Sequence, residues 1–267
     1  MPELPEVESA RAVIERAGLG REIAGVDDSD TYVCRPHRPG QIRDALVGRA
    51  LGAAHRRGKS MWCDTTWDGP ELGIHLGMSG KIVIAGPDGT EADGGDYWEG
   101  RRRPGDYRWC RFALTFADGG RLMLVDPRRL GRVRLDPPVA SLGPDAATMT
   151  PAEFRAALAS GTAPVKARLL DQEAVAGIGN LLADQILWSA RINPGRRVDR
   201  LTGDDVDRLL RATRRAVRSA LADGGVHTLG LNGFRLAGAR CPRDGAPMAR
   251  SAVGGRTSWW CSVEQAV

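Results

Sequence analysis

Lysine is almost missing from this chain: of the 38 basic residues among its 267, only three are lysines, at 59, 81 and 166. Amine chemistry therefore has few side-chain candidates. Long hydrophobic runs are missing too, with none approaching the roughly 20 residues of a membrane span. No basic, apolar, small-residue leader opens the chain, so a cytoplasmic protein without a membrane partner is the expectation. Cysteine is sparse and odd in number, five in all. That pattern fits reduced thiols better than a disulfide framework. No internal repeat or low-complexity tract competes with a globular reading.

What is present points elsewhere. A hydrophobic content of 42% is enough for a proper core in one large domain or two modest ones. The net charge of +5 is modest, but from Arg196 to Arg256 there are 13 arginines against 6 acids. Such a field suits a phosphate-rich partner engaged through guanidinium forks.

The opening PELPEVESARAVIERAG predicts a helix, with Pro5 in its first turn. Between 21 and 135, short strand-like runs (SMWCDTTW, ELGIHL, KIVIA, CRFALTF, RLMLVD) alternate with DG and GG turns and predict two packed antiparallel sheets. GPDGTEADGGDYWEGRRRPGDYR, from Gly86, has neither periodicity and reads as a mobile insertion loop. DPPVASLGPDAAT reads as a linker. Helices then take over. Thr150, Pro151 and Glu153 spell a capping box, a second helix starts near Val165 and a third follows Gly179. A fourth is capped by Thr202 with Asp205 three residues on. Its predicted inner face carries Val206, Leu209, Leu210, Thr213, Val217, Ala220 and Leu221. From Cys241 the chain returns to turns and short strands. The fold class is thus α+β: an N-terminal two-layer antiparallel β-sandwich carrying a helix (1–135), a linker (136–149), a helical domain (150–240) and a C-terminal β-hairpin (241–267).

The penultimate residue is a proline. Removal of the initiator methionine would expose Pro2 as a secondary amine, in the class whose pKa lies at roughly 8. Such an amine can attack a sugar C1′, release the base and leave an iminium that eases adjacent C–H cleavage. Glu3 sits beside it and Glu6 one turn further on, either able to move protons.

These residues, with RRGKS (56–60), HLGMSG (75–80), DPRRLG (126–131), VAGIGNLLADQIL (175–187) and a terminal GGRTSWWC, closely resemble the formamidopyrimidine-DNA glycosylase and endonuclease VIII family. The resemblance covers nearly the whole chain. It implies a helix-two-turn-helix DNA element in the helical domain, joined through Gly177, Gly179 and Asn180. It further implies a bifunctional glycosylase and abasic-site lyase of base excision repair, acting on duplex DNA with oxidised bases or abasic sites through β,δ-elimination. In that reading Pro2 is the nucleophile, Glu3 protonates the deoxyribose ring oxygen, Glu6 supports the pocket and Lys59 meets phosphate near the damaged nucleotide. His75, Asn180 and Arg256 resemble phosphate contacts, Met78 and Leu130 a helix-entering wedge, Arg128 the partner of the orphaned base, and Arg129 its DNA-facing neighbour. Lys166 matches a lysine near the lesion pocket. Abasic-site cleavage without efficient excision, and damaged-DNA binding without catalysis, are the alternatives. A monomer is expected.

Departures from the family pattern are local. Leu130 stands where phenylalanine is usual, and Gln185 where glutamate is. Only HTLGLNGFRLAGAR precedes Cys241, too short for a long lid, so excision is expected to shift from 8-oxoguanine toward formamidopyrimidines, further oxidised purines or oxidised pyrimidines. The family's C-x2-C-x16-C-x2-C zinc finger becomes Cys241, Asp244, Cys261 and Glu264. Thiolates and carboxylates can both ligate zinc, but harder oxygen donors lower its affinity. No cofactor is expected, with zinc possible but disfavoured and Trp259 and Trp260 packing the hairpin instead.

Overall fold

The computed structural model describes residues 2–96 and 103–266. In chain order they form α1 (Leu4–Ala17), β1 (Ile23–Asp27), α2 (Gln41–Leu46), β2 (Leu51–Arg57), β3 (Ser60–Thr65), β4 (Gly69–His75), β5 (Lys81–Ala85), β6 (Glu91–Gly95), β7 (Cys110–Phe116), β8 (Arg121–Val125) and β9 (Arg132–Leu135). There follow α3 (Pro151–Leu158), α4 (Val165–Leu170), α5 (Asn180–Ala190), α6 (Gly203–Ala222), β10 (Met248–Val253) and β11 (Arg256–Cys261). The architecture is α+β, as expected. Among the described residues two compact units are formed, one of Pro2 and the residues from Glu6 to Ala140, the other of Glu3–Pro5 and the residues from Ser141 to Ala266. Among the described residues no helix is long and apolar enough to cross a membrane.

The first unit is a sandwich of two antiparallel sheets, ordered β1-β7-β8-β5-β6 and β2-β3-β4-β9. Alternation sets the inner faces: β3 buries every second residue, turning Met61 and Cys63 inward. Ile82, Leu114, Phe116 and Leu122 meet them from the other sheet, and Val7, Val13 and Ile14 from α1 join the same core. The central strands β5, β7 and β8 are buried on both faces, so Val83, Ala113 and Met123 make a small second cluster.

One expectation is corrected here. Part of the stretch read as a mobile loop is strand β6, paired with β5 from Lys81↔Gly95 to Ala85↔Glu91. Its sequence, EADGG, lacks the β-branched residues of a strand because α1 crosses closely: a Cβ on Gly94 would lie 2.5 Å from the Ser9 carbonyl oxygen. Of the remainder of that stretch, residues 97–102 lie outside the described residues.

The second unit packs α3 to α6 around Phe154, Leu158, Val165, Leu169, Ile178, Leu182, Ile186, Leu209 and Val217. Both capping boxes form, Thr150 with Glu153 and Thr202 with Asp205. Thr213 bonds back to the Leu209 carbonyl at 2.9 Å, as its position on the inner face requires. Leu221, counted on the same face, is 38% exposed because it lies in the last turn, toward the edge of that face.

Asp205 does more than cap. Buried, it also holds Arg196 at 3.1 Å and pairs with Arg208. Burial works to raise its pKa, but the Thr202 bonds and the two arginines outweigh it and hold the carboxyl below the usual range. A depressed folded-state pKa gives stability that is present above the unfolded value, about 3.9, and lost as pH falls. Asp205→Ala is therefore expected to cost about 2 kcal/mol at pH 7. Urea unfolding of both proteins should show that difference constant from neutrality to pH 5 and shrinking below pH 4. A difference independent of pH would contradict the assignment.

Candidate active site

One acid of the second unit, Glu3, has no exposed surface. Its Oε2 accepts the amides of Gly179 at 2.9 Å and Leu182 at 3.1 Å, and its Oε1 that of Leu181 at 2.8 Å. The Leu4 amide adds a bond to the Gly177 carbonyl at 3.2 Å. These donors are unsatisfied amides at the start of α5, where the helix favours negative charge. The glycine-rich GIGN turn was expected to bring backbone amides to a phosphate. Instead the amide of Gly179 in this turn and those of Leu181 and Leu182 just after it bind the chain's own carboxylate. Gly179 has a φ of −113°, open to any residue. Space, not backbone freedom, demands glycine: a Cβ there would lie 2.3 Å from Glu3 Cδ.

One turn into α5 lies a second buried group. Asp184 accepts Lys166 Nζ at 2.6 Å and Arg235 Nε at 3.0 Å, and Trp259 N reaches it at 3.3 Å. Lys166, expected to contact DNA, is without exposed surface; its ammonium serves Asp184 and the Thr257 carbonyl, the latter at 3.0 Å. Burial lowers the pKa of Lys166 and raises that of Asp184, their mutual attraction offsetting this only in part. Asn180 Nδ2 also donates to the Thr257 carbonyl, at 3.1 Å. Lys166 and Asn180 thus clamp β11 one residue from Arg256. Arg256 itself is exposed beside the tight turn Gly254–Gly255, whose φ values of 58° and 70° suit a two-residue hairpin. Gln185, in place of the family's glutamate, still supports its neighbour, its Oε1 accepting the Leu231 amide at 2.9 Å.

In the first unit Pro2 and Glu6 are buried at the start of the chain. Lys59 occupies the Gly58–Lys59 turn between β2 and β3, half-buried. Close by, Arg56 and Arg11 pair with Glu8 at 2.8 and 2.7 Å. His75 ends β4 with an exposed edge, and its Nδ1 accepts the Gly77 amide at 3.0 Å. Crowding around the ring lowers its pKa, with the charges of Lys59 and Arg132 adding to the effect. A neutral imidazole with Nδ1 engaged offers Nε2–H as a donor.

Two loops expected to wedge DNA are brought together by Asp126, a residue given no role in the sequence reading. Fully buried, it accepts the amides of Leu130 and Gly131 at 2.7 Å and of Arg128 at 3.1 Å, and the Ser79 hydroxyl. Met78 thus flanks a residue tied to the turn that presents Arg128 and Leu130, both exposed. Arg129 adopts a φ of 56° and pairs with Asp30 at 2.8 Å. An aspartate opening DPRRLG, and another inside the apolar NLLADQIL, were the available signals for Asp126 and Asp184.

Cys241, Asp244, Cys261 and Glu264 do meet, their donor atoms within 4.8 Å of one another. The geometry is metal-capable, but the donor set fits a structural zinc poorly. Asp244 is engaged by the Ala246 amide at 3.0 Å and the Cys261 thiol at 3.2 Å. Glu264 faces Arg243 and, at 3.4 Å, Arg191. Gln265, fully buried, closes the hairpin without metal: its Oε1 accepts the Cys261 amide at 2.9 Å and its Nε2 donates to the Ile192 carbonyl at 2.8 Å. Chelator treatment is accordingly expected to leave the melting temperature unchanged. Gln265→Ala, which strands two buried backbone groups, should cost about 2–4 kcal/mol. A chelator-induced drop of several degrees, reversed by zinc, would overturn this.

Comparison with known proteins is concordant along the chain. Residues 1–133 match the formamidopyrimidine-DNA glycosylase N-terminal domain and residues 141–229 the formamidopyrimidine-DNA glycosylase H2TH domain. The chain is similar to a formamidopyrimidine-DNA glycosylase of Nocardioides sp., 36% identical over 99% of this chain and 94% of the relative. Among solved structures it is similar to Lactococcus lactis Fpg in complex with abasic-site DNA (TM-score 0.81, 25% identity, 99% and 100% of the two chains). The same enzyme with Fapy-dG DNA gives a TM-score of 0.82 at 26% identity, again over 99% and 100%.

Proposed function

This chain belongs to the formamidopyrimidine-DNA glycosylase family, and we propose that its chemistry runs from the Pro2 amine exposed when Met1 is removed. The activity is that of a bifunctional DNA glycosylase and abasic-site lyase in base excision repair of oxidised bases. The Pro2 nitrogen attacks C1′, and the base leaves with the glycosidic electron pair. Glu3 delivers a proton to the ring oxygen as the C1′–O4′ bond opens, giving an iminium. That cation acidifies C2′, so loss of a proton there expels the 3′ phosphate, and a second elimination expels the 5′ phosphate. Glu6 assists proton traffic. Lys59, His75, Asn180 and Arg256 take phosphates, while Met78, Arg128 and Leu130 fill the space of the extruded nucleotide, with Arg129 held beside them. Lys166 acts from within, positioning β11 and hence Arg256.

The observation that carries this reading is the seat of Glu3: a carboxylate immobilised by three amides, one peptide bond from the proline. On lesion choice, the segment after α6 supports a shift away from 8-oxoguanine. It consists of two short turns, Val226–Thr228 and Asn232–Phe234, with the intervening Leu231 pinned by Gln185. Lactococcus lactis Fpg has been solved with DNA containing Fapy-dG and with DNA containing an oxidised pyrimidine, both within the substrate range proposed here. The protein acts on DNA; a cytoplasmic setting is proposed from its five free cysteines.

The test is to incubate Met1-processed protein, verified by intact mass, with an abasic-site duplex and borohydride. A covalent adduct is expected, absent when Met1 is retained. Tight binding with neither adduct nor strand cleavage would sink the amine mechanism.

A further inference from the structure

The outer face of α6 is unused by this chemistry. From Arg208 to Ala222 the helix carries Arg208, Arg211, Arg214, Arg215 and Arg218 and not one acid. All five are exposed. At 100° per residue they fall within about 120° of arc over about 15 Å of axis. Arg208 is neutralised by Asp205. Arg214 and Arg218 bond only carbonyls, at 3.4 and 3.2 Å. Arg211 and Arg215 have no hydrogen-bond or ion-pair partner among the described residues. Shallow depressions flank the stripe: about 210 Å³ beside Ser189, Arg211 and Arg215, and about 310 Å³ beside Ala147, Arg214 and Arg218. Ser189 lies nine residues along α5 from Asn180, about 13 Å, so this face is separate from the Glu3 and Asn180 end.

We propose that this face binds the phosphates of a second, undamaged duplex segment. One guanidinium per about 3 Å of helix approaches the one phosphate per 3.4 Å of each DNA strand. Guanidinium forks engage phosphate bidentately, and arginines line both depressions. A protein held to one segment while contacting another passes between them without full release. The inference rests on DNA being the partner, but not on the Pro2 chemistry.

The experiment loads Met1-processed protein with a short unlabelled abasic-analogue duplex and titrates a labelled undamaged duplex across salt concentrations. Wild type is expected to capture the second duplex. Arg211→Ser/Arg215→Ser should lower the salt slope by about 1.8, roughly a tenfold difference in affinity between 50 and 200 mM salt. Arg211→Lys/Arg215→Lys should keep the slope. Cleavage of a labelled duplex with a natural abasic site, measured in a separate reaction, reports the proposed activity independently and should not change in either variant. Absence of second-duplex capture by wild type, equal capture by the serine variant, or capture of an acidic peptide in place of DNA would each overturn the proposal.

Discussion

Gly179→Ala is expected to lower base excision and strand cleavage by about 100-fold or more, though the substitution is far from Glu3 in sequence and lies at a backbone angle alanine accepts. The new methyl carbon would stand 2.3 Å from Glu3 Cδ. Relief requires the carboxylate to leave its three amides, taking the proposed proton donor out of place. Glu3→Gln should reproduce the catalytic loss by a different route. The amide keeps one acceptor oxygen but turns N–H groups toward N–H groups and no longer exchanges a proton near neutrality. Single-turnover excision of a Fapy-dG duplex, run beside a binding assay on an abasic analogue, separates the two. The rate should collapse in both variants, whereas DNA affinity should move less than tenfold. Full excision by Gly179→Ala would mean that the seat of Glu3 is not the reactive arrangement.

The second large effect is on stability. Asp184→Asn leaves the Lys166 ammonium buried with a neutral partner, a loss of about 3–5 kcal/mol by urea unfolding at pH 7. Lys166→Met should cost less, because Asp184 retains Arg235 at 2.9 Å. The pH dependence has a definite sign. Burial lowers the pKa of Lys166 in the folded protein, so its contribution to stability is greatest above the unfolded value, near 10.4, and is lost as pH falls through the folded one. Removing Asp184 takes away the charge that had been raising that pKa. The penalty of Asp184→Asn should therefore shrink as pH rises from 7 toward 10. A variant within 1 kcal/mol of wild type at pH 7, or one whose penalty grows with pH, would contradict the buried pair as described.

How far the sequence could be read follows from the distance over which each feature is encoded. Both capping boxes are contained in four consecutive residues, and both form as expected. Alternation in β3 and helical spacing in α6 are nearly as local. Strand β6 was hidden because its Gly94 serves a helix some eighty residues earlier, not the strand itself. The seat of Glu3 spans 176 residues, so the GIGN turn looked like an empty anion site. Lys166 looked like a surface contact for the same reason: its partners are 18 and 91 residues away. Asp126 could be seen in its motif, but its four partners in two loops could not.

The Glu3 seat also orders events during synthesis. Glu3 and its neighbours cannot take their places until Gly179 to Leu182 have followed, roughly 10–35 s later at ordinary elongation rates. Pro2 is buried once the chain has folded. On the proposed chemistry any residue left ahead of Pro2 keeps its nitrogen in a peptide bond, so a tag or leader retained at the amino end would disarm the amine.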